Sequence, residues 1–464
     1  MARLKIISDE LCSFSQKRGG AFHTYHQAHK FTEGVNPVKE FLSARMDEVR
    51  IYWALKTSER ILRTVGAQDA LDFQMRVLER EKGRRISYRK QRDHTCHTLN
   101  NYILGFYLLE HSDFLKTHMT EAFSRRNLSL SSFVYLWPYA SLLHDVGYLF
   151  EGGFRKITDT FKDPAVSNST NLLNDYFKYN FWKFYGFNEI ATDDIINSGI
   201  AWRQEIDNSD SIRLANSLSE AGCLSSIVDT CNEEAVAGGP LETLPTNCFS
   251  LWENNYRAFG NERMARAIDL LRTDFYSMAE NDHPKIKRKI LDHGVCSGLI
   301  LLLFITYFYA LHTGLKRRNG TSAWQETTST QVKGYLSTVE EGVASTKWWW
   351  SGLVWATAAT ALHNKYDELP GLEPLRVDDD PLTYLGILVD ELQVWDRFNV
   401  FDGVLNRDCD ISEIPVQCSE IRLGADKSGP PVRFSVPSRE FGKVKKTLNS
   451  RLANWEEIVV LHEH

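Results

Sequence analysis

The residues most able to do chemistry are a neighbouring histidine and aspartate, His144 and Asp145, which end an apolar run. A charged carboxylate at the edge of a core costs several kcal/mol unless it is paired or bound to a metal ion. Adjacent helical side chains point about 100° apart, so one ion can take the imidazole while the carboxylate reaches that ion and a second one. The alternative is a buried pair satisfied by ordinary hydrogen bonds, and these two residues alone do not decide between them.

Two residues on other predicted helices can face inward toward such a pair. His97 stands at the head of an apolar helical stripe that continues to Tyr107. Asp390 lies between Ile387 and Val394, its neighbours at i−3 and i+4, so that apolar groups rather than solvent flank it. An aspartate in that position needs a partner. The alternative to a metal ion is a plain surface pair with Arg397, two turns further on the same face.

Two more histidines, His293 and His363, adjoin small residues. His293 begins an uncharged apolar helix, whose first turns carry Gly294, Ser297 and Gly298. His363 ends a predicted helical stripe formed by Ala356, Ala359 and Thr360. Small faces let neighbouring backbones approach closely, which is a way to crowd ligands around a metal ion. The alternative for each histidine is a core position with one carbonyl partner.

Together these positions supply four imidazoles and two carboxylates on five predicted helices. Such a set can bind two metal ions, and imidazole-rich sites suit transition metals better than Mg²⁺ alone. The sequence therefore predicts two divalent transition-metal ions (Mn, Fe, Ni, Co or Zn) as cofactors.

The segments that must position these residues are mostly α-helical in pattern. A chain of 464 residues is too long for one simple core. We expect an N-terminal helical region over 1–85, a helical core over 86–405 with a long helical insertion at about 152–290, and a small α+β appendage over 406–464. In the appendage, Ile411–Gly424 and Val432–Val436 alternate like strands, Ser438–Asn454 is predicted to be a helix, and Ile458–Leu461 is a short apolar strand.

Composition limits the class of protein. A hydrophobic content of 43% and an aromatic content of 12% are typical of a folded protein. The formal net charge of −6 and the lack of a long basic run disfavour a nucleic-acid binder. The apolar runs Gly294–Leu311 and Trp348–Leu362 are short for membrane spans and favour buried helices. Without a signal-peptide pattern, and with eight scattered cysteines that form no CxxC pair, we expect a cytoplasmic protein.

The order of the six candidate ligands resembles that of the HD-domain superfamily of metal-dependent phosphohydrolases. That family carries H…HD…D on a helical bundle, and its dinuclear members add two histidines before the last Asp. The matching segments are HTLNNYILG, LLHDVGY, DHGVCSGLILL, ATALHN and ILVDELQVW. The resemblance implies one ion on His97, His144, Asp145 and Asp390, and a second on His293 and His363, with Asp145 bridging.

The same resemblance implies hydrolysis of a phosphomonoester or phosphodiester, with a nucleotide or cyclic nucleotide as the expected small-molecule substrate. A metal-bridging hydroxide would be the nucleophile. Asp145 and His94 are the expected catalytic residues, with His94 donating a proton to the leaving group. Three cationic residues close to ligands in the sequence are expected to bind the phosphate: Arg92, Lys365 and Arg397. Tyr148 stands where the cyclic-dinucleotide branch of the family has Lys, which argues against that specific activity.

Two other functions remain open at this point. A mixed-valent di-iron oxygenase resembles the same fold and uses the same order of ligands, and an O₂-dependent, iron-only activity would distinguish it. A regulatory or binding protein with a structural metal site is the other. Six inward-facing ligands without a metal would be costly, which argues against a vestigial site. The sequence does not indicate an oligomeric state.

Overall fold

The computed structural model describes residues 4–17, 19–20, 22–23, 35–65, 67, 70–71, 74–75, 77–78, 94–149, 243–280, 292–302, 305, 348–395, 416–426 and 429–464. Within these residues the protein is mostly helical and has a small sheet near the C-terminal end of the sequence, as predicted. The predicted boundaries at 85/86 and 405/406 lie outside the described residues, as does most of the predicted insertion.

The elements are as follows. The helices are α1 (Ile7–Ser15), α2 (Pro37–Ser43), α3 (Asp47–Thr64), α4 (His94–His111), α5 (Asp113–Arg125), α6 (Phe133–Ser141), α7 (Thr243–Ala258), α8 (Glu262–Glu280), α9 (293–302), α10 (Val354–Leu362), α11 (Pro381–Leu392) and α12 (Ser438–Arg451). The strands are β1 (Lys5–Ile6), β2 (Arg422–Asp426), β3 (Gly429–Val436) and β4 (Val459–Glu463). A π-helical turn (Trp349–Leu353) leads into α10.

The chain forms two compact units. The first unit comprises Met1–Val146 and Leu372–His464, and the second comprises Gly147–Gly371.

Helix α4 is the central element of the first unit. It is buried continuously from Thr95 to Leu109 and packs against α1, α3, α5, α6, α11 and β3. A helix that is apolar on all sides is typical of a core position. Close packing against α6 depends on Gly105, where a Cβ atom would lie 2.3 Å from Cζ2 of Trp137. The Trp137 indole N–H donates to the Tyr102 carbonyl over 3.0 Å, which fixes the ring in this contact.

The sheet of the first unit has the order β1-β2-β3-β4. Its first three strands are antiparallel, whereas β4 runs parallel to β3 and follows it through α12. The predicted helix and the last two predicted strands are confirmed. The first predicted strand, Ile411–Gly424, is described only from residue 416. In that part, Cys418–Glu420 forms a 3₁₀ turn closed by a capping box, and Arg422–Gly424 lies in β2. The sequence did not indicate β1, which pairs Lys5 with Leu423 across the length of the chain.

The second unit contains two helical pairs in its described part. Helices α7 and α8 pack against each other, and α7 also contacts α10, where the Trp252 indole donates to Thr357 Oγ1 over 3.0 Å. Helices α9 and α10 approach closely at Gly298, where a Cβ would lie 2.6 Å from Cβ of Ala361 and 2.8 Å from the Thr357 carbonyl oxygen. Gly298, on the small face predicted for α9, is therefore used for close packing, but its nearest contacts on α10 are Thr357 and Ala361 and not the predicted stripe of Ala356, Ala359 and Thr360.

Among the helices that the structure describes, none combines the length and the apolar character needed to cross a membrane.

Two glycine substitutions test the packing around α4. Gly105→Ala should lower the free energy of unfolding by about 1–3 kcal/mol, because the Trp137 ring would have to leave its position. Gly442→Ala in α12 should instead raise it by up to about 1 kcal/mol, because nothing lies within 4 Å of the added methyl group and alanine favours the helix. Urea denaturation measures both, and a neutral Gly105→Ala would contradict the packing.

Candidate metal centre

The pair His144–Asp145 lies in the turn that follows α6, so the prediction that a helix carries it is wrong. Helix α6 ends at Ser141. In a continuing helix the Ser141 carbonyl would accept the N–H of Asp145, but it accepts the Nδ1–H of His144 over 2.6 Å. The imidazole thus takes the place of a backbone donor at the helix end, where carbonyl groups lack intrahelical partners.

This bond also fixes which nitrogen keeps its hydrogen when the ring is neutral. Because a carbonyl oxygen can only accept, Nδ1 of His144 carries the hydrogen and Nε2 points the other way. That Nε2 atom lies 3.3 Å from Asp145 Oδ2 and 3.7 Å from Asp390 Oδ1.

His97, on the first turn of α4, has the same arrangement with a different acceptor. Its Nδ1–H donates to Oε1 of Gln393 over 2.6 Å. The amide orientation follows from its other end, where Nε2 of Gln393 donates to the Trp395 carbonyl over 2.5 Å. Nε2 of His97 then lies 2.8 Å from Asp390 Oδ1 and 3.5 Å from Asp145 Oδ2.

The imidazole–carboxylate spacing is that of donors to a metal ion. Nitrogen and oxygen ligands lie about 2.0–2.2 Å from a transition-metal ion, so neighbouring donors on one ion are roughly 3–3.5 Å apart. The imidazole–carboxylate distances of 2.8–3.7 Å match this spacing. Ligand atoms of His97, His144 and Asp145 also lie within 4.8 Å of one another. Both rings direct the other nitrogen at a carbonyl oxygen, as metal-binding histidines usually do.

The imidazoles and carboxylates of the site favour each other's charged forms. Burial lowers the pKa of His144, but the carboxylates of Asp145 and Asp390 outweigh this and raise it to about 9. Burial raises the pKa of Asp390, but hydrogen bonds from His144 and His97 hold it well below its usual range. The side chain of Asp390 is 21% exposed, whereas those of His97, His144 and Asp145 are at most 7% exposed. Solvent therefore reaches the centre past Asp390.

The second unit brings together the two remaining predicted ligands. The rings of His293 and His363 lie 5.5 Å apart, and a Cβ at Gly294 would lie 2.8 Å from Cε1 of His363. Nδ1–H of His363 donates to the Thr360 carbonyl over 2.6 Å, which repeats the arrangement of His144. Tyr148 stacks on His293 at 4.0 Å, with an angle of 10° between the rings. Both histidines are buried and close enough to act on one ion.

The ends of α9 and α10 are tied together by Asp292. One carboxylate oxygen accepts the N–H of Val295 over 2.9 Å, and the other accepts the side-chain amide of Asn364 over 2.5 Å. Because these residues adjoin His293 and His363 in the sequence, the carboxylate holds the two imidazoles beside each other.

Of the four other predicted site residues, the structure describes two, His94 and Lys365. His94 is the first residue of α4, one turn before His97, and is partly exposed. Lys365 forms ion pairs with Glu368 and, at 4.0 Å, with Asp274, so a substrate anion would compete with these carboxylates. Arg92 and Arg397 lie outside the described residues.

Two residues of the centre were missed by the sequence analysis. Asn101 donates to Asp390 Oδ1 over 3.3 Å, and its amide nitrogen lies 3.2 Å from His97 Nε2. Its spacing of four residues from His97 on one helix could have identified it. Gln393 gives no such signal, because it lies beyond the end of α11, where helical periodicity no longer applies.

No protein-family model matches the chain, and comparisons with curated proteins and with solved structures find nothing similar to it. The resemblance to HD-domain enzymes therefore rests on the residues themselves and stays a prediction.

The charge on His144 makes the stability of the metal-free protein depend on pH. A raised pKa means that the protonated form stabilises the fold, a contribution that is fully present below about pH 6.5 and lost as the pH rises through about 9. The free energy of unfolding, measured by urea denaturation with a chelator, should fall by up to about 3 kcal/mol over this interval. His144→Gln should remove the fall, and an equal fall in the variant would contradict the assignment.

Proposed function

We propose that the protein is a metal-dependent phosphohydrolase that hydrolyses a phosphomonoester or phosphodiester of a small molecule, with a nucleotide or cyclic nucleotide as the expected substrate. The observation that carries the proposal is the convergence of two imidazole nitrogens and two carboxylate oxygens in a nearly buried centre. The order of these residues in the chain, H…HD…D, supports the same reaction class by resemblance.

The donor set favours divalent transition metals. Two neutral imidazoles and two carboxylates would leave a divalent ion with no net charge in the first unit, which suits a poorly solvated position. When bound, such an ion supplies Lewis acidity for a phosphoryl oxygen and lowers the pKa of a bound water. The prediction of a second ion on His293 and His363 is part of the proposal, and the metal stoichiometry tests it.

The protein side chains have separate roles in this proposal. In their neutral forms, His97 and His144 present Nε2 with its lone pair, because Nδ1 of each ring is committed to a carbonyl oxygen; His144 gives up its second proton when an ion binds. Asp390 marks the solvated side of the centre, from which a substrate can enter. His94, one turn before His97 and partly exposed, is the proposed proton donor to the leaving group.

Asp145→Asn tests the ligand role that the proposal needs. The substitution keeps the shape but removes the charge, so metal content and phosphatase turnover should collapse while the circular dichroism spectrum stays unchanged. Loss of the ion's contribution should cost several kcal/mol of transition-state stabilisation.

Asp380→Asn is the matched control for that variant. Asp380 is also buried, but it caps α11 through the N–H groups of Leu382 and Thr383, a role that Asn fills equally well. The control should retain metal and turnover. Full metal and full activity in Asp145→Asn would overturn the proposal, and an O₂-dependent, iron-only activity would assign the protein to the oxygenases.

His94→Ala tests the proton donor separately from the metal. Because His94 is not a proposed ligand, the ion should stay bound while turnover falls by on the order of 10²–10⁴. His111→Ala, at the other end of the same helix, is the control. Its ring packs against Tyr107 and Phe14, so the melting temperature should fall without a selective loss of turnover. If the two variants behave alike, His94 is a structural residue.

A further inference from the structure

We infer that Gln393 is the positioning residue of His97 in the metal centre, and that the C-terminal sheet holds Gln393 in place through Trp395. The inference rests on the proposed metal centre. It adds a role for Gln393 and for the C-terminal sheet, to which the sequence analysis gave none. All residues concerned belong to the first unit.

Gln393 connects the imidazole to the backbone that follows α11. It is fully buried and uses both ends of its amide, accepting from His97 Nδ1–H over 2.6 Å and donating to the Trp395 carbonyl over 2.5 Å. An unsatisfied buried amide would cost about 1–3 kcal/mol. The two bonds therefore fix the side chain, and the side chain fixes the ring of His97 and its tautomer.

A metal-binding role for His97 requires a hydrogen-bond acceptor at Nδ1, and Oε1 of Gln393 is that acceptor. An imidazole that donates from Nδ1 keeps the lone pair on Nε2 for an ion. Loss of the acceptor would let the ring rotate or exchange tautomers, and partners of this kind typically contribute 10–100-fold to metal affinity. Asn101 contacts the opposite nitrogen of the ring, so it cannot replace Gln393 in holding Nδ1.

The chain leaves the helix sharply at this position. Helix α11 ends at Leu392, and the backbone of Gln393 has a ψ of 78°. Its N–H still donates to the Val389 carbonyl over 3.0 Å, while Val394 donates to Leu392 over 2.9 Å. The turn places the Trp395 carbonyl two residues further on, within reach of the Gln393 amide.

Trp395 contacts the sheet region at two points. It is buried and forms a parallel bridge with Val416, shortly before β2. Its ring lies 6.1 Å from the ring of Phe434 in β3. The contacts run from β3 through Trp395 and Gln393 to His97, which makes the predicted appendage a support of the metal centre.

Two variants of Gln393 separate positioning from packing. Gln393→Leu keeps the volume but removes the acceptor, and Gln393→Glu keeps an acceptor but buries a charge. If Gln393 positions His97, the Kd for Mn²⁺ or Zn²⁺ should rise 10–100-fold in the leucine variant. It should rise less in the glutamate variant, which keeps the acceptor for His97 Nδ1–H but loses the donor to the Trp395 carbonyl. If Gln393 only fills space, the order is reversed, because leucine packs well and a buried carboxylate does not. Competition with a chromogenic chelator measures the Kd without any assay of turnover.

A pair of phenylalanine variants tests the link to the sheet. Phe434→Leu should raise the metal Kd several-fold, whereas Phe41→Leu, equally buried in α2 of the same unit, should not. Circular dichroism checks that both are folded. Equal Kd values for the two would overturn the role of the sheet.

The outcomes also separate this inference from the proposed function. A wild-type protein that binds no metal would overturn both. A protein that binds metal, shows the expected order of Gln393 variants and hydrolyses no phosphate ester would support the positioning role and contradict the phosphohydrolase.

Discussion

Two carboxylates with little access to water are the constraint on which the first unit depends. Asp145 is buried and Asp390 is only one-fifth exposed, and neither can keep its charge there without positive or hydrogen-bonding partners. The structure supplies two imidazoles, each held by a carbonyl oxygen behind it. The same contacts that satisfy the carboxylates in the metal-free protein present four donor atoms to an ion. Stability and ligand geometry therefore arise from one set of interactions.

Several helices of the fold hold the histidines of the two units in position. Helix α4 is buried on all sides, so His97 has a fixed position at its first turn. The end of α6 is capped by the imidazole of His144, which joins the termination of the helix to the orientation of the ligand. In the second unit, Gly294 permits a histidine side chain to lie against the backbone of α9, and Tyr148 packs flat on His293. A lysine in the place of Tyr148 could not form this stacked pair.

The sequence predicted which residues converge in the first unit better than it predicted their surroundings. His97, the His144–Asp145 pair and Asp390 could be found because buried polar residues interrupt apolar helical patterns. Small residues likewise revealed the close approach of α9 and α10. The end of α6 was missed because apolar periodicity continues through Leu143, although the helix stops where a side chain takes over the Ser141 carbonyl. Gln393 and β1 were missed for another reason: each acts through contacts with residues remote in the chain, His97 in one case and Leu423 in the other.

The central claim is that His97, His144, Asp145 and Asp390 bind one divalent ion. Its most direct test is a crystal structure of the protein grown with Zn²⁺, with anomalous diffraction data collected at the zinc absorption edge. The account predicts an anomalous peak about 2.0–2.2 Å from Nε2 of both histidines and from an oxygen of each aspartate. Nε2 atoms that still bond directly to the carboxylates, with no peak between them, would contradict it.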